Sequence, residues 1–143
     1  MYQYCTFVLD GHLFGVDVAS VQEVLKQQGL TPVPLASREV AGLINLRGQI
    51  VTTLDLRSRL GLPERPAGSE SVSVVVRAAD GGPVSLVVDR IGDVLDVDGA
   101  SLEAPPDTVP ADVRELVRGI CKLEDGLMLL LDTEKAIRVD AAA

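Results

Sequence analysis

The sequence predicts a mainly β fold made of two small closed barrels with short helices, and three observations carry that reading. Short runs rich in Val, Ile, Leu and Thr recur along the chain, each bounded by Gly, Pro or Asp turn signals. Helical spacing is confined to segments of one or two turns, too short to serve as crossovers on a parallel sheet. A segment also repeats. Laying Gly42 on Gly119 places Leu46 on Leu123 and Asp55 on Asp132, and pairs Leu43 with Ile120, Ile50 with Leu127, Val51 with Met128, Leu54 with Leu131 and Leu60 with Ile137. A duplication of this kind gives two related units that bury faces against each other and leave a groove between them.

In chain order, Tyr2 to Leu9 alternates in polarity, and Asp10-Gly11 turns it into a second strand ending near Val16. Ser20-Val21-Gln22-Glu23 fits a capping box, with Asp17 as the alternative cap, and Val18, Val21, Val24 and Leu25 follow at helical spacing up to Gly29. A short helix is expected there. Thr31-Pro32-Val33-Pro34 reads as an extended connector, because proline fixes its own backbone and restricts the residue before it. Val40 to Leu54 is a hairpin turning at Arg47-Gly48, followed by a short helix from Asp55 to Leu60.

Residues 61–71 carry Gly61, Pro63, Pro66 and Gly68 among alternating charges, and the subdomain junction is expected there. Beyond it the order repeats. Val72 to Val76 and Val84 to Val88 flank an Asp80-Gly81-Gly82 turn, and Leu13 to Asp17 corresponds to Ser85 to Asp89. Val24-Leu25 likewise corresponds to Val94-Leu95. Ala104 to Pro110 is a second connector before the closing hairpin from Val117 to Leu131. One domain over 1–143 therefore divides into a subdomain near 12–65 and another near 70–140, with strand 1–9 joining the second.

A net charge of -8 and a pI near 4.5 disfavour nucleic acid and anionic lipid, which both recruit basic surfaces. No basic leader with an apolar core, and no apolar run of the ~20 residues a bilayer requires, is visible, so a cytoplasmic protein is expected. Cys5 and Cys121 lack zinc-type spacing and sit in apolar runs, as core thiols do.

Catalysis finds little support. His12 stands beside a hairpin turn with no nucleophile in a suitable context, and the glycines lack the phosphate-cradle spacing. Asp17, Asp55, Asp89 and Asp132 each start a helix or turn, where a carboxylate caps backbone N–H groups. No metal, cofactor or catalytic set is assigned. Arg47 is different. Its repeat partner is Glu124, so the turn itself does not demand arginine, and its fork of donors suits either a bridge across the subdomain junction or a partner's carboxylate. The Val18, Val21, Val24 stripe reads from periodicity as core.

Gly42-Leu43-Ile44-Asn45-Leu46-Arg47-Gly48, then Ile50-Val51 and Leu54-Asp55-Leu56, Val87-Val88-Asp89-Arg90-Ile91, and the strands from Gly119 to Asp132 resemble the CheW family of bacterial chemotaxis coupling proteins over nearly the whole chain. The resemblance implies two five-stranded SH3-like barrels related by a pseudo-twofold axis. It implies a non-enzymatic, stand-alone adaptor that joins the hairpin tip of a chemoreceptor to the regulatory domain of a CheA-type histidine kinase, recruited to receptor arrays at the inner face of the membrane. Carried onto this chain, the receptor groove would be lined by Val18, Val21, Val24 and Ile91, with Asn45 and Arg47 at its polar edge; this favours partner contact over core for Val18 and Val21 and leaves Val24 open between the two. The alternative is a small acidic ligand-binding barrel or enzyme using the same groove, which requires titratable groups where apolar ones are expected.

Overall fold

The computed structural model describes residues 2–26, 29–98 and 102–138. The continuous apolar run at Val72–Arg77 shows how its layers are arranged. A strand buried on both faces has no polar face to alternate, and here Val74 and Val76 join the large core shared by both sheets while Val75 points into a smaller core with Ile44, Leu46 and Val51. The second sheet is built the same way: Phe7, Leu9, Phe14 and Val16 face the shared core, and Tyr4, Val97, Cys121, Met128 and Leu130 form an interior of their own. Each sheet thus curls around one core and contributes to a common one.

The strands are β1 (Tyr2–Leu9), β2 (His12–Asp17), β3 (Val21–Lys26), β4 (Val40–Leu46), β5 (Gln49–Asp55), β6 (Val72–Arg77), β7 (Pro83–Val88), β8 (Arg90–Val97), β9 (Leu102–Glu103), β10 (Val117–Leu123) and β11 (Gly126–Leu131). Short helices α1 (Leu56–Arg59), α2 (Ala111–Leu116) and α3 (Thr133–Ile137) accompany them among the described residues. One sheet runs β3-β6-β7-β5-β4 and the other β8-β1-β2-β11-β10, extended by β9. These are one topology twice. In both, a parallel pair (β5 with β7, β11 with β2) joins two antiparallel units.

The repeat identities have structural causes. Gly42 holds φ +152°, and a Cβ there would lie 2.7 Å from the Thr31 carbonyl oxygen. That space lets Thr31 and Leu43 exchange backbone hydrogen bonds of 2.9 Å, which brings the chain after β3 back onto β4. At Gly119 a Cβ would meet Leu102 and the Glu103 carbonyl, because β9 returns onto β10 in the same manner. Asp55 and Asp132 cap α1 and α3 by accepting from the Arg57 and Lys135 amides. Both thiols are buried and free, and burial raises their pKa values, which keeps them protonated and unreactive.

Three expectations need correction. Val18, Val21 and Val24 do not share a helix: Asp17 caps a single 3-10 turn over Val18–Ser20, and Val21–Lys26 is strand β3. A bulge between Val21 and Glu23 inserts an extra residue, so the apolar positions acquire a spacing that imitates a helix. Secondly, the barrels do not divide near residue 65. Strand β2 (His12–Asp17) belongs with the late strands, as β1 does, whereas β6 and β7 complete the early sheet. Each half lends its first hairpin to the other half's barrel, so the linker marks the repeat boundary rather than the barrel boundary. Residues 139–143, including the Ala141-Ala142-Ala143 end, lie outside the described residues.

The third correction is Asp89, expected to cap a helix or turn that it starts; it accepts instead from groups distant in sequence. It sits between β7 in one sheet and β8 in the other. Its oxygens accept from Arg57 Nε and Nη2 (2.9 and 2.6 Å), from Arg65 Nε and Nη2 (3.1 and 2.9 Å), and from the Asp10 amide in the β1–β2 turn (2.8 Å). The Asp89 amide donates to Val8 of β1. Arg57 is buried, and its Nη1 reaches the Pro63 and Glu64 carbonyls of the linker. One carboxylate therefore ties α1, the linker, a turn of the opposite sheet and the inter-sheet crossing.

Burial pushes the Asp89 carboxyl upward, but Arg57, the Asp10 amide and Arg65 outweigh it and hold the pKa at about 2, against an ordinary 3.8. A depressed carboxylate stabilises the fold fully above the unfolded-state pKa and loses that contribution as pH falls towards the folded value, here between about pH 4 and pH 2. The contribution is about 2 kcal/mol. Asp89→Asn is expected to lower stability at neutral pH and to flatten the acid limb of the stability curve, as measured by urea unfolding from pH 7 to pH 2. An unchanged acid limb would show that the node is not what titrates.

Candidate receptor groove and its polar edge

Strand β3 is an edge of one sheet and β8 an edge of the other, each hydrogen-bonded to a single neighbour, β6 and β1 respectively. They occupy equivalent places in the two barrels. Both edges carry exposed apolar side chains: Val24 on β3 is 42% exposed, and Ile91 and Val94 on β8 are 39% and 58% exposed. Val18 and Val21 differ from these. Both are half-buried and pack against the shared core.

Asn45 and Arg47 come together on the β4–β5 hairpin. The Arg47-Gly48 turn has φ +50° and +85°, the geometry of a two-residue hairpin turn that usually prefers Asn, Asp or Gly. Asn45 Oδ1 accepts from the Gly48 amide at 2.8 Å and fixes the turn. Arg47 then reaches Glu23 on β3 with two parallel hydrogen bonds of 2.8 Å. Those bonds hold the Glu23 carboxyl below its usual range. Since β3 and β4 are the two ends of the sheet order, this fork spans the closure of one barrel, beside the Thr31–Leu43 bridge. Arg47 does not bridge the two barrels, the role weighed for it in the sequence; Arg57 and Arg65 hold that place. A buried arginine between Leu56 and Leu60 was the signal for Arg57, since a charge among core residues requires a partner. Val94, missing from the sequence-derived set, was legible as the repeat partner of Val24.

The arrangement offers two edge strands from different sheets, each presenting exposed apolar side chains among charged ones, with the Arg47–Glu23 fork on one of them. Among the described residues, no three His, Cys, Asp or Glu side chains converge as a metal site would require, and no helix is long and apolar enough to cross a membrane. His12 is exposed at the start of β2. The carboxylate with the largest shift, Asp89, has both oxygens engaged by arginines and an amide.

Residues 3–141 match the profile of the CheW-like domain. The chain belongs to that family. It is 30% identical over 131 residues to the chemotaxis protein CheW of Bacillus subtilis, covering 92% of this chain and 83% of that one. It is 28% identical over 137 residues to the chemotaxis protein CheW of Treponema pallidum, covering 94% and 81%. The crystal structure of the scaffolding protein TtCheW from Thermoanaerobacter tengcongensis superposes with a TM-score of 0.86 at 29% identity, over 97% of this chain and 89% of that one. The two sheets here match that CheW architecture, consistent with paired SH3-like barrels.

The burial pattern separates the two valines of β3. Val21→Asp places a carboxylate against the shared core and is expected to cost about 2 kcal/mol or more. Val24→Asp, on the exposed side, is expected to change stability by less than about 0.5 kcal/mol. Urea unfolding of both variants checks the difference; equal losses would mean that both valines are core residues.

Proposed function

We propose that this CheW-like protein is a non-enzymatic chemotaxis adaptor that couples the cytoplasmic hairpin tip of a chemoreceptor to the regulatory domain of a CheA-type histidine kinase, at receptor arrays on the inner face of the membrane. The observation that carries this reading is the full-length likeness to a CheW scaffolding protein, in which both barrels of this chain take part. The surface supports it. A receptor hairpin is helical and amphipathic, and such a helix is received by a groove that offers apolar anchors at helical spacing. Val24 on one barrel and Ile91 and Val94 on the other supply exposed anchors, while Arg47 and Glu23 supply a polar margin. Val18 and Val21 are half-buried and pack against the shared core instead.

A titratable cluster suited to acid–base work is what an enzyme in the same groove would require, and the exposed apolar side chains of the edge strands point instead to binding. Burying one such side chain contributes about 1.5 to 3 kcal/mol, so its replacement by aspartate should weaken binding at least about tenfold. Val24→Asp and Ile91→Asp are expected to lose a receptor cytoplasmic fragment in calorimetric titration while still binding the kinase regulatory domain. Normal receptor binding by both variants would remove the groove as the site. Loss of both partners together would point to a general defect.

A further inference from the structure

Helix α1 is a single turn, yet two of its side chains reach elements of the other barrel. Arg57 takes the Asp89 node described above. Arg59 goes the other way. Its Nε donates to the Ala136 carbonyl at 3.1 Å, and its Nη2 donates to the Lys135 and Arg138 carbonyls, each at 2.9 Å. These three acceptors lie at the C-terminal end of α3, where a helix leaves carbonyls without intrahelical partners and favours a cation. Helix α1 follows β5 directly and α3 follows β11 directly, so the pair reports how one sheet is set against the other.

The contact is one-sided. The repeat lays Arg59 on Ala136, so the two residues are equivalents in the two halves, and Ala136 is fully buried with no donor to return. Between the barrels lies the shared apolar core, in which Leu60 and Ala136 take part. The shared core and the Asp89 node already join the barrels, and Arg59 adds a directional contact at a different pair of elements, α1 and α3, where a guanidinium fork adds geometric specificity. The exposed anchors of the groove, Val24 on β3 and Ile91 and Val94 on β8, sit on different sheets, so their spacing depends on that angle.

We propose that Arg59 is a positioning residue for receptor binding: by clasping the end of α3 it holds the two barrels at the angle that makes the groove fit a receptor hairpin. This rests on the adaptor reading. Arg59 need not touch the receptor. Without the clasp the Asp89 node and the shared core still join the barrels, but the α1–α3 contact no longer narrows their angle, and apparent affinity falls with the fraction of molecules in the competent one.

The test compares wild type, Arg59→Met, which keeps the aliphatic stem without donors, and Arg59→Lys, which keeps the charge without the fork. Spin labels at Gln49 on one barrel and Asp125 on the other report the inter-barrel distance by pulsed dipolar spectroscopy. Calorimetry reports binding to a receptor cytoplasmic fragment and, separately, to the kinase regulatory domain. Arg59→Met is expected to broaden the distance distribution and to weaken receptor binding about tenfold, with kinase-domain binding within about twofold of wild type and Arg59→Lys in between. An unchanged distance distribution overturns the clasp. So does a parallel fall in receptor binding, kinase binding and urea midpoint, which is what a merely structural residue gives. If wild type binds no receptor fragment, the adaptor reading fails, and the distance distribution still decides whether Arg59 sets the angle.

Discussion

Asp89 is the point on which the two halves of the molecule are tied. It lies where the chain leaves one sheet for the other, and it gathers Arg57 from α1, Arg65 from the linker and the Asp10 amide from the opposite sheet. Breaking such a node by removing one partner leaves a poorly solvated charge, which costs more than the pair gains over water. The linker of residues 61–71 looks flexible by composition, but its Arg65 side chain and its Pro63 and Glu64 carbonyls are engaged there. The crossing from β7 to β8 is thereby fixed, and with it the placement of β8 as the edge strand that carries Ile91 and Val94.

The exchange of hairpins follows from the same arrangement. Hairpin β1–β2 completes the barrel of β8, β10 and β11, and hairpin β6–β7 completes the barrel of β3, β4 and β5. Neither repeat can close a barrel from its own strands in this topology. The shared core is the physical counterpart of the exchange, with Phe7 and Phe14 stacked at 6.0 Å on one side and Val74, Val76, Leu86 and Val88 on the other. An adaptor built this way presents two equivalent edge strands, one from each barrel, held on a common foundation. Under the proposed function, that foundation would suit a surface that grips one partner between the barrels and leaves their outer faces for another.

Much of this was legible in the residues. The duplication of Gly42 and Gly119 was visible, though not the returning chain that leaves no room for a side chain at each, and Asp55 and Asp132 marked two helix starts. The hairpins at Asp10-Gly11, Arg47-Gly48 and Asp80-Gly81-Gly82 carried their own turn chemistry. What was not legible depends on contacts distant in sequence. Strand β3 imitated a helix because a capped 3-10 turn and a bulge respaced its valines. The barrel partition hinged on which strands pair, and linker composition carries no information on that. Helix α2 begins at a proline with no side-chain cap, so only Val113 and Leu116, both buried, hinted at it. Asp89 looked like its counterparts because its role is set by two arginines more than twenty residues away. Of the residues assigned to the candidate groove, Asn45 and Arg47 do share one hairpin, and the fork from Arg47 goes to Glu23, which the sequence offered as part of a capping box and not as an ion-pair partner.

The central claim is that one molecule holds a receptor and a kinase at once, through different surfaces of the paired barrels. Sedimentation velocity of the protein mixed with a receptor cytoplasmic fragment and a kinase regulatory domain tests it most directly. The account predicts a three-component species in which each partner is retained when the other is added in excess. If the receptor fragment displaces the kinase domain, so that only two-component species sediment, the two partners share one surface and the molecule does not couple them.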